Sequence, residues 1–193
     1  HTLAYGTDAS FYRLIPKIVI KTDNAKEVQD IIELSNSLNL SITFRAGGTS
    51  LSGQAISDSI LVITSRNFSN FKIAPDASYI SLQPALTGAQ VNGLLARYSK
   101  KIGPDPASIN AAMIGGIAAN NASGMCCGIS QNSYKTLKSM KLIFADGAKL
   151  DTGCSESKDA FRKSHGDFLN DLKSFSQDTK NNEPLRAKIE RKF

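Results

Sequence analysis

The sequence predicts an α+β protein made of two α/β lobes. Three observations predict it: a strand–helix–strand unit near the start, two stretches of small residues about sixty positions apart, and short strands closed by turn signals. Lys17-Ile18-Val19-Ile20 is a short apolar run suited to a strand, and Thr22-Asp23-Asn24 then offers helix-capping side chains. Val28, Ile31, Ile32, Leu34, Ser35 and Leu38 follow helical spacing, with Glu27 in the first turn where the helix dipole favours a negative charge. Leu40 to Phe44 alternates like a half-buried strand, so the unit reads as βαβ, whose strands normally form a parallel pair.

A glycine-rich turn from Arg45 to Gly53 comes next, then apolar strands at Ile60–Ile63 and Phe71–Ile73. Tyr79 to Gln83 alternates until Pro84 stops it, and Thr87 is placed to cap a helix through Val91, Leu94, Leu95 and Tyr98. Gly103 to Ser108 carries two prolines and cannot be helical. Small residues run from Ala111 to Gly124; Lys138 to Ala145 reads as a strand, Asp146-Gly147 as a hairpin turn, and Lys149-Leu150-Asp151 as the return. The expected division is lobe one at about 1–75, lobe two at about 76–153, and a helical segment of one or two helices over 154–193, where Ser, Asp, Lys and Asn dominate.

Composition narrows the function classes. The 193 residues are 41% hydrophobic and 21% charged, which is ordinary for a globular domain. No apolar run approaches the ~20 residues that span a bilayer, and the first residues lack a basic-then-apolar secretion signal. The chain does not open with Met, which suggests a start inside a longer chain or a trimmed tag. Cys126, Cys127 and Cys154 have no zinc or iron–sulphur spacing; they read as small buried thiols in a reducing, cytoplasmic setting. The net charge of +6 permits anionic partners, but the cations are scattered apart from Leu185–Lys192, and there is no Trp. A nucleic-acid surface would need a basic stripe with interleaved aromatics, so none is expected.

Two constellations carry chemistry. Arg45-Ala46-Gly47-Gly48-Thr49-Ser50-Leu51-Ser52-Gly53-Gln54 directly follows a strand and holds three glycines and three hydroxyls. Glycine admits positive φ, and successive amides turned one way make a nest for anions such as a diphosphate. The segment matches neither G-x-G-x-x-G nor G-x-x-x-x-G-K-[ST], which excludes a Rossmann or P-loop reading. The second constellation is Pro104-Asp105-Pro106-Ala107-Ser108 leading into Met113 to Gly124. Its small residues require something to pack close to the backbone, either a ligand or another protein element. Asn120, Asn121 and Ser123 cluster where a purely apolar contact would want alanines. Together, the two loops suit one extended ligand of dinucleotide length.

In order, Pro16–Val19, Arg45–Gly53, Gln83-Pro84-Ala85, Pro104–Pro106, Ile114-Gly115-Gly116, Asn121–Gly124 and Ala145-Asp146-Gly147 resemble the FAD-binding domain of the vanillyl-alcohol oxidase / p-cresol methylhydroxylase flavoproteins, over about Tyr12 to Gly153. The similarity is to the branch of D-lactate, glycolate and D-2-hydroxyglutarate dehydrogenases. Thr7-Asp8-Ala9-Ser10 with Tyr12-Arg13 and Pro16 resembles members fused to a C-terminal iron–sulphur region. The resemblance implies a PCMH-type FAD-binding fold with the lobes meeting at the FAD site, and a cap domain for substrate beyond residue 193. It implies that the amides of Ala46, Gly47, Gly48, Thr49 and Ser50 meet the FAD diphosphate, in a loop bounded by Arg45, Gly53 and Gln54. By the same resemblance Pro84, Pro104, Asp105, Pro106 and Ser108 border the flavin end. Gly115, Gly116, Ala119, Asn120, Ser123 and Gly124 lie along the ribityl–diphosphate stretch, and Ile143 meets the adenine.

Thr49 stands where covalent members carry a flavin-linking His, so FAD is expected to be non-covalent. Ala85 replaces a usual Gly, and Cys127-Gly128 replaces a Tyr-Gly. Neither His1 nor His165 is suited to base catalysis; His165 reads as a surface residue, and no catalytic residue or metal ligand is assigned within this segment. The implied reaction is oxidation of a D-2-hydroxy acid with electrons passing onward to an iron–sulphur centre or quinone, peripheral attachment to a membrane being left open. The alternatives are a flavoenzyme of the same superfamily acting on another alcohol or sugar, or a nucleotide-binding module without catalysis.

Overall fold

A computed structural model of the chain describes residues 1–192. These form two compact units, one of residues 1–138 with 145–147 and the other of 139–144 with the chain from 148 onward. No helix among the described residues is long and apolar enough to cross a membrane.

The first unit opens with strand β1 (Ile18–Thr22), helix α1 (Ala25–Ser37), strand β2 (Ile42–Arg45) and strand β3 (Ile60–Thr64). The sheet order is β1-β3-β2, parallel throughout, with Ile18 and Ile42 both opposite Ile60. The βαβ unit therefore does not pair its own two strands; β3 inserts between them. The cause is composition. Ile60, Leu61 and Val62 are apolar on both faces and buried (8%, 0% and 1% exposed), and only a central strand hides both faces. Helix α1 is capped as expected, Asn24 accepting from the amides of Lys26 and Glu27, while the Glu27 carboxylate accepts from the Asp23 amide. Its buried stripe is narrower than the spacing suggests: Ile32 and Ser35 are buried, but Leu34 and Leu38 face out at 60% and 57% exposure.

Strands β4 (Phe71–Ile73) and β5 (Ile80–Leu82) form an antiparallel pair. Helix α2 (Gly88–Leu95) starts at a reciprocal cap: Thr87 Oγ1 accepts from the Gln90 amide at 3.2 Å, and the Gln90 side chain accepts from the Thr87 amide at 2.8 Å. A 3-10 turn, Ala96–Tyr98, carries it to the expected end. Leu86, Val91 and Leu95 form a buried cluster against Ile73, Ile80, Leu82, Ile102 and Ile114. Two short helices, α3 (Ile114–Ala119) within the small-residue segment and α4 (Ser133–Thr136) beyond it, follow.

In the second unit, β6 (Lys141–Ile143) and β7 (Lys149–Asp151) pair antiparallel, as the Asp146-Gly147 signal predicts, although β6 is shorter than the expected 138–145 strand. Three helices follow rather than one or two: α5 (Ser155–Ser164), α6 (Gly166–Asn181) and α7 (Glu183–Lys192). The interruptions fall at His165 and Asn182, whose backbones leave the helical region. Phe161 of α5 is buried, with the Phe144 ring 4.7 Å away and His165 stacked on it at 4.0 Å. His165 is thus an aromatic packing element rather than a bland surface residue. Phe193, the end of the expected helical segment, lies outside the described residues.

Two stability outcomes follow. Leu61→Ala, at the fully buried centre of β3, should cost about 2–5 kcal/mol in urea unfolding; a loss below about 1 kcal/mol would mean that β3 is not central to the core. Two glycines should respond with opposite signs. A Cβ at Gly93, inside α2, meets nothing within 4 Å, so Gly93→Ala should raise stability by about 0.4–1 kcal/mol. A Cβ at Gly124 would overlap the backbone and carboxylate of Asp105, so Gly124→Ala should cost about 1–3 kcal/mol. Equal effects in thermal melts would contradict this packing.

Candidate cofactor site

Three segments of the first unit converge. One is the loop 45–54 that leaves β2. The second, 84–89, runs along the third, 109–115, laced by the Ile114 amide to the Leu86 carbonyl (2.8 Å), Gly115 to Pro84 (3.0 Å), Gly88 to Ala112 (3.0 Å) and Ala89 to Ile109 (3.0 Å). Loop 45–54 presses directly on the third segment. A Cβ at Gly47 would overlap the Ala111 carbonyl, and one at Gly116 would lie 3.4 Å from the Ala46 Cβ. A Cβ at Gly115 would come within 2.8 Å of the Pro84 ring. At Gly47, Gly115 and Gly124 the element that needs the missing side chain is therefore protein backbone or ring. These glycines build the loops against one another.

What the loop leaves open is its donors. Among the described residues, the amides of Gly47, Gly48, Thr49, Ser50 and Leu51 donate to no protein acceptor. Buried amides are almost always paired; Gly47 to Ser50 are half-buried residues, whose amides remain open to a ligand or to water. Gly48 takes φ +65°, the left-handed turn that lets neighbouring amides point the same way. Ser50 Oγ donates to the Gln54 side chain at 2.9 Å and accepts from the Ser52 amide, closing the loop's far side; Gly53 turns at φ +70°. Leu51 was not among the expected residues, yet its amide continues the run. Five successive unpaired donors suit an extended anion, and their fit to a diphosphate is the test that an FAD site must pass here.

The Arg45 side chain is directed elsewhere. Its Nη1 donates to the Tyr5 carbonyl at 3.2 Å and its Nη2 to the Thr7 carbonyl at 2.6 Å. Pro104, Asp105 and Pro106 lie in an irregular stretch that leads into the turn at 107–111. Asp105 Oδ1 accepts from the Cys127 amide at 3.3 Å. Desolvation pushes the Asp105 carboxyl up, but the thiols and amides of Cys126 and Cys127 outweigh it and hold the carboxyl below the ordinary aspartate range. That contribution to stability is present above the unfolded aspartate pKa and is lost as pH falls through the lowered folded value. Ser108 caps its own turn, its carbonyl accepting from Ala111 and Ala112.

Along α3 and beyond, Ala119, Asn120 and Ser123 are exposed, and the Asn120 and Ser123 side chains make no hydrogen bond among the described residues. Asn121 is committed to the Tyr134 amide at 3.0 Å. The cysteines are not uniformly buried as composition suggests: Cys127 is buried, Cys154 half-buried and Cys126 exposed. Ile143 lies in the second unit, half-buried on β6 opposite Lys149.

Residues 16–153 match a family model described as an FAD binding domain. D-2-hydroxyglutarate dehydrogenase of Escherichia coli (strain K12) is 27% identical over 154 residues, covering 78% of this chain and 15% of that protein. D-lactate dehydrogenase of Archaeoglobus fulgidus is 26% identical over 141 residues, covering 70% of this chain and 31% of that protein. The chain therefore spans less than a third of either relative. Among solved structures, chitooligosaccharide oxidase superposes with a TM-score of 0.63 at 18% identity, over 81% of this chain and 33% of that one, a likeness of fold. With a model covering most of its length, the chain belongs to the FAD binding domain family.

Proposed function

We propose that this chain is the FAD-binding part of a longer oxidoreductase that oxidises a D-2-hydroxy acid. The observation that carries the reading is the run of unpaired amides from Gly47 to Leu51, pressed against the small-residue segment. In this reading the amides of Ala46 to Ser50, in the loop that closes at Gly53 and Gln54, hold the diphosphate. Pro84, Pro104, Asp105, Pro106 and Ser108 border the flavin end, and Gly115, Gly116, Ala119, Asn120, Ser123 and Gly124 flank the ribityl–diphosphate stretch. FAD is held without a covalent bond, since Thr49 cannot form the link that a His would. Backbone donors carry no net charge and need no reorganisation, so they bind an anion in the geometry that folding gives them.

Bound FAD supplies the acceptor for a hydride taken from the carbinol carbon of the substrate. The names of both relatives, one for D-2-hydroxyglutarate and one for D-lactate, support the substrate class. The residues from 154 onward lead toward a substrate domain beyond this chain, and electrons leave to an iron–sulphur centre or quinone there.

Titration of the chain with FAD, followed by flavin absorbance and fluorescence, should saturate and prefer FAD over FMN, with ADP competing. Gly47→Ala should weaken FAD by on the order of tenfold or more, because its Cβ would displace the loop from the Ala111 carbonyl, while Gly93→Ala should bind as the parent does. Absence of saturable binding, both in this chain and in one extended to the length of its relatives, would overturn the cofactor reading. In the extended protein, reduction of the flavin by none of D-lactate, glycolate or D-2-hydroxyglutarate would overturn the substrate class.

A further inference from the structure

We infer that the N-terminal segment Tyr5–Ser10, which precedes the residues matched by the family model, is a working part of the cofactor site, and that Arg45 is a positioning residue that fixes the amide loop to it. The inference rests on the proposed FAD reading. The segment touches the loop at its beginning, middle and end. At the beginning, Arg45 closes β2, and its guanidinium bridges the carbonyls of Tyr5 and Thr7. The same guanidinium underlies Gly48, where a Cβ would sit 2.7 Å from Nε. In the middle, the Ala9 amide donates to the Gly48 carbonyl at 2.9 Å. A trans peptide is planar with its C=O and N–H opposed, so drawing the Gly48 carbonyl toward Ala9 turns the Thr49 amide the other way. At the end, Asp8 Oδ2 accepts from the Ala55 amide at 3.4 Å while Oδ1 accepts from Ser10 at 2.8 Å, and the Tyr12 ring lies against Gly53.

The chemistry of Arg45 fits this role. A guanidinium presents several donors in a rigid planar fork, and here the fork joins two carbonyls two residues apart. Lysine has a single flexible ammonium and would keep the charge without the bridge. The segment thus supplies from outside the hydrogen bonds that the loop does not make within itself. It lowers the ordering cost that a ligand would otherwise meet on binding. The pattern Thr7-Asp8-Ala9-Ser10 gains a physical meaning: Asp8 caps the turn and ties the loop's exit, and Ala9 turns its central glycine.

Two measurements on the chain test this, one without ligand and one with it. In the ligand-free protein, Asp8→Ala and deletion of residues 1–10 should each speed hydrogen exchange at the Ala55 amide by on the order of tenfold, with Leu61 and Val62 in β3 unchanged. In titrations at several salt concentrations, Asp8→Ala, Arg45→Lys and Arg45→Met should each weaken FAD and ADP by about tenfold with the salt dependence unaltered. Asp8→Ala combined with Arg45→Lys should lose little more than either alone, as expected for residues acting through one device. Unchanged exchange at Ala55 in both Asp8→Ala and the deletion of residues 1–10, the two variants that loosen this N-terminal strap, overturns the inference. So does an Arg45→Lys variant that binds like the parent while Arg45→Met loses affinity and salt dependence, since that pattern marks a direct phosphate contact. A parent chain that binds neither FAD nor ADP while exchange at Ala55 still depends on the strap overturns the cofactor reading and, with it, the strap's part in a cofactor site.

Discussion

Five successive amides from Gly47 to Leu51 donate to no protein acceptor, and a segment in that condition keeps its shape only if its carbonyls and flanks are held from outside. Much of the first unit can be read as the means of holding it. Central strand β3 fixes β2, which delivers Arg45 at the mouth of the loop. The Ala111 carbonyl lies under Gly47, and the segment 84–89 holds 109–115 in place by four main-chain hydrogen bonds. The N-terminal residues close the other side through Gly48 and Ala55. The donors of the loop stay unpaired while its Gly48 carbonyl and its flanks at Arg45 and Ala55 are tied to the N-terminal residues.

This arrangement separates two uses of glycine that look the same in a sequence. Gly48 and Gly53 are needed for their backbone angles, both having positive φ. Gly47, Gly115 and Gly124 are needed for space, and the space is filled by the Ala111 carbonyl, the Pro84 ring and Asp105. A small-residue stretch therefore did not by itself locate a ligand. It located the places where loops touch, and the ligand-facing surface is what those contacts leave exposed.

The same distinction explains what was legible in the sequence. Capping at Asn24 and Thr87, the hairpin at Asp146-Gly147 and the strand at Ile60–Ile63 depend on local chemistry and could be read directly. The insertion of β3 between β1 and β2 is a long-range choice driven by two-faced burial, and periodicity in either partner does not reveal it. Leu34 and Leu38 have helical spacing yet face out, because spacing alone does not say which stripe of a helix the fold covers. The short helix α3 was hidden by glycines that usually argue against helix. Arg45 was counted in the cofactor-binding loop from its place in the sequence; its hydrogen bonds to Tyr5 and Thr7 became visible only when residues about forty positions apart were brought together.

A site made of main-chain donors discriminates by charge and shape along a backbone, with little dependence on which side chains surround it. Such a site is compatible with a family match across residues 16–153 alongside identities of only 26–27% to curated relatives. It is also compatible with near-equal similarity to relatives named for D-2-hydroxyglutarate and for D-lactate. On the proposed reading this region orders the cofactor. The direction of the amides is set by a few contacts. Of these, the bond from Ala9 to the Gly48 carbonyl has the greatest leverage, because a single rigid peptide plane converts its direction into the direction of the Thr49 donor.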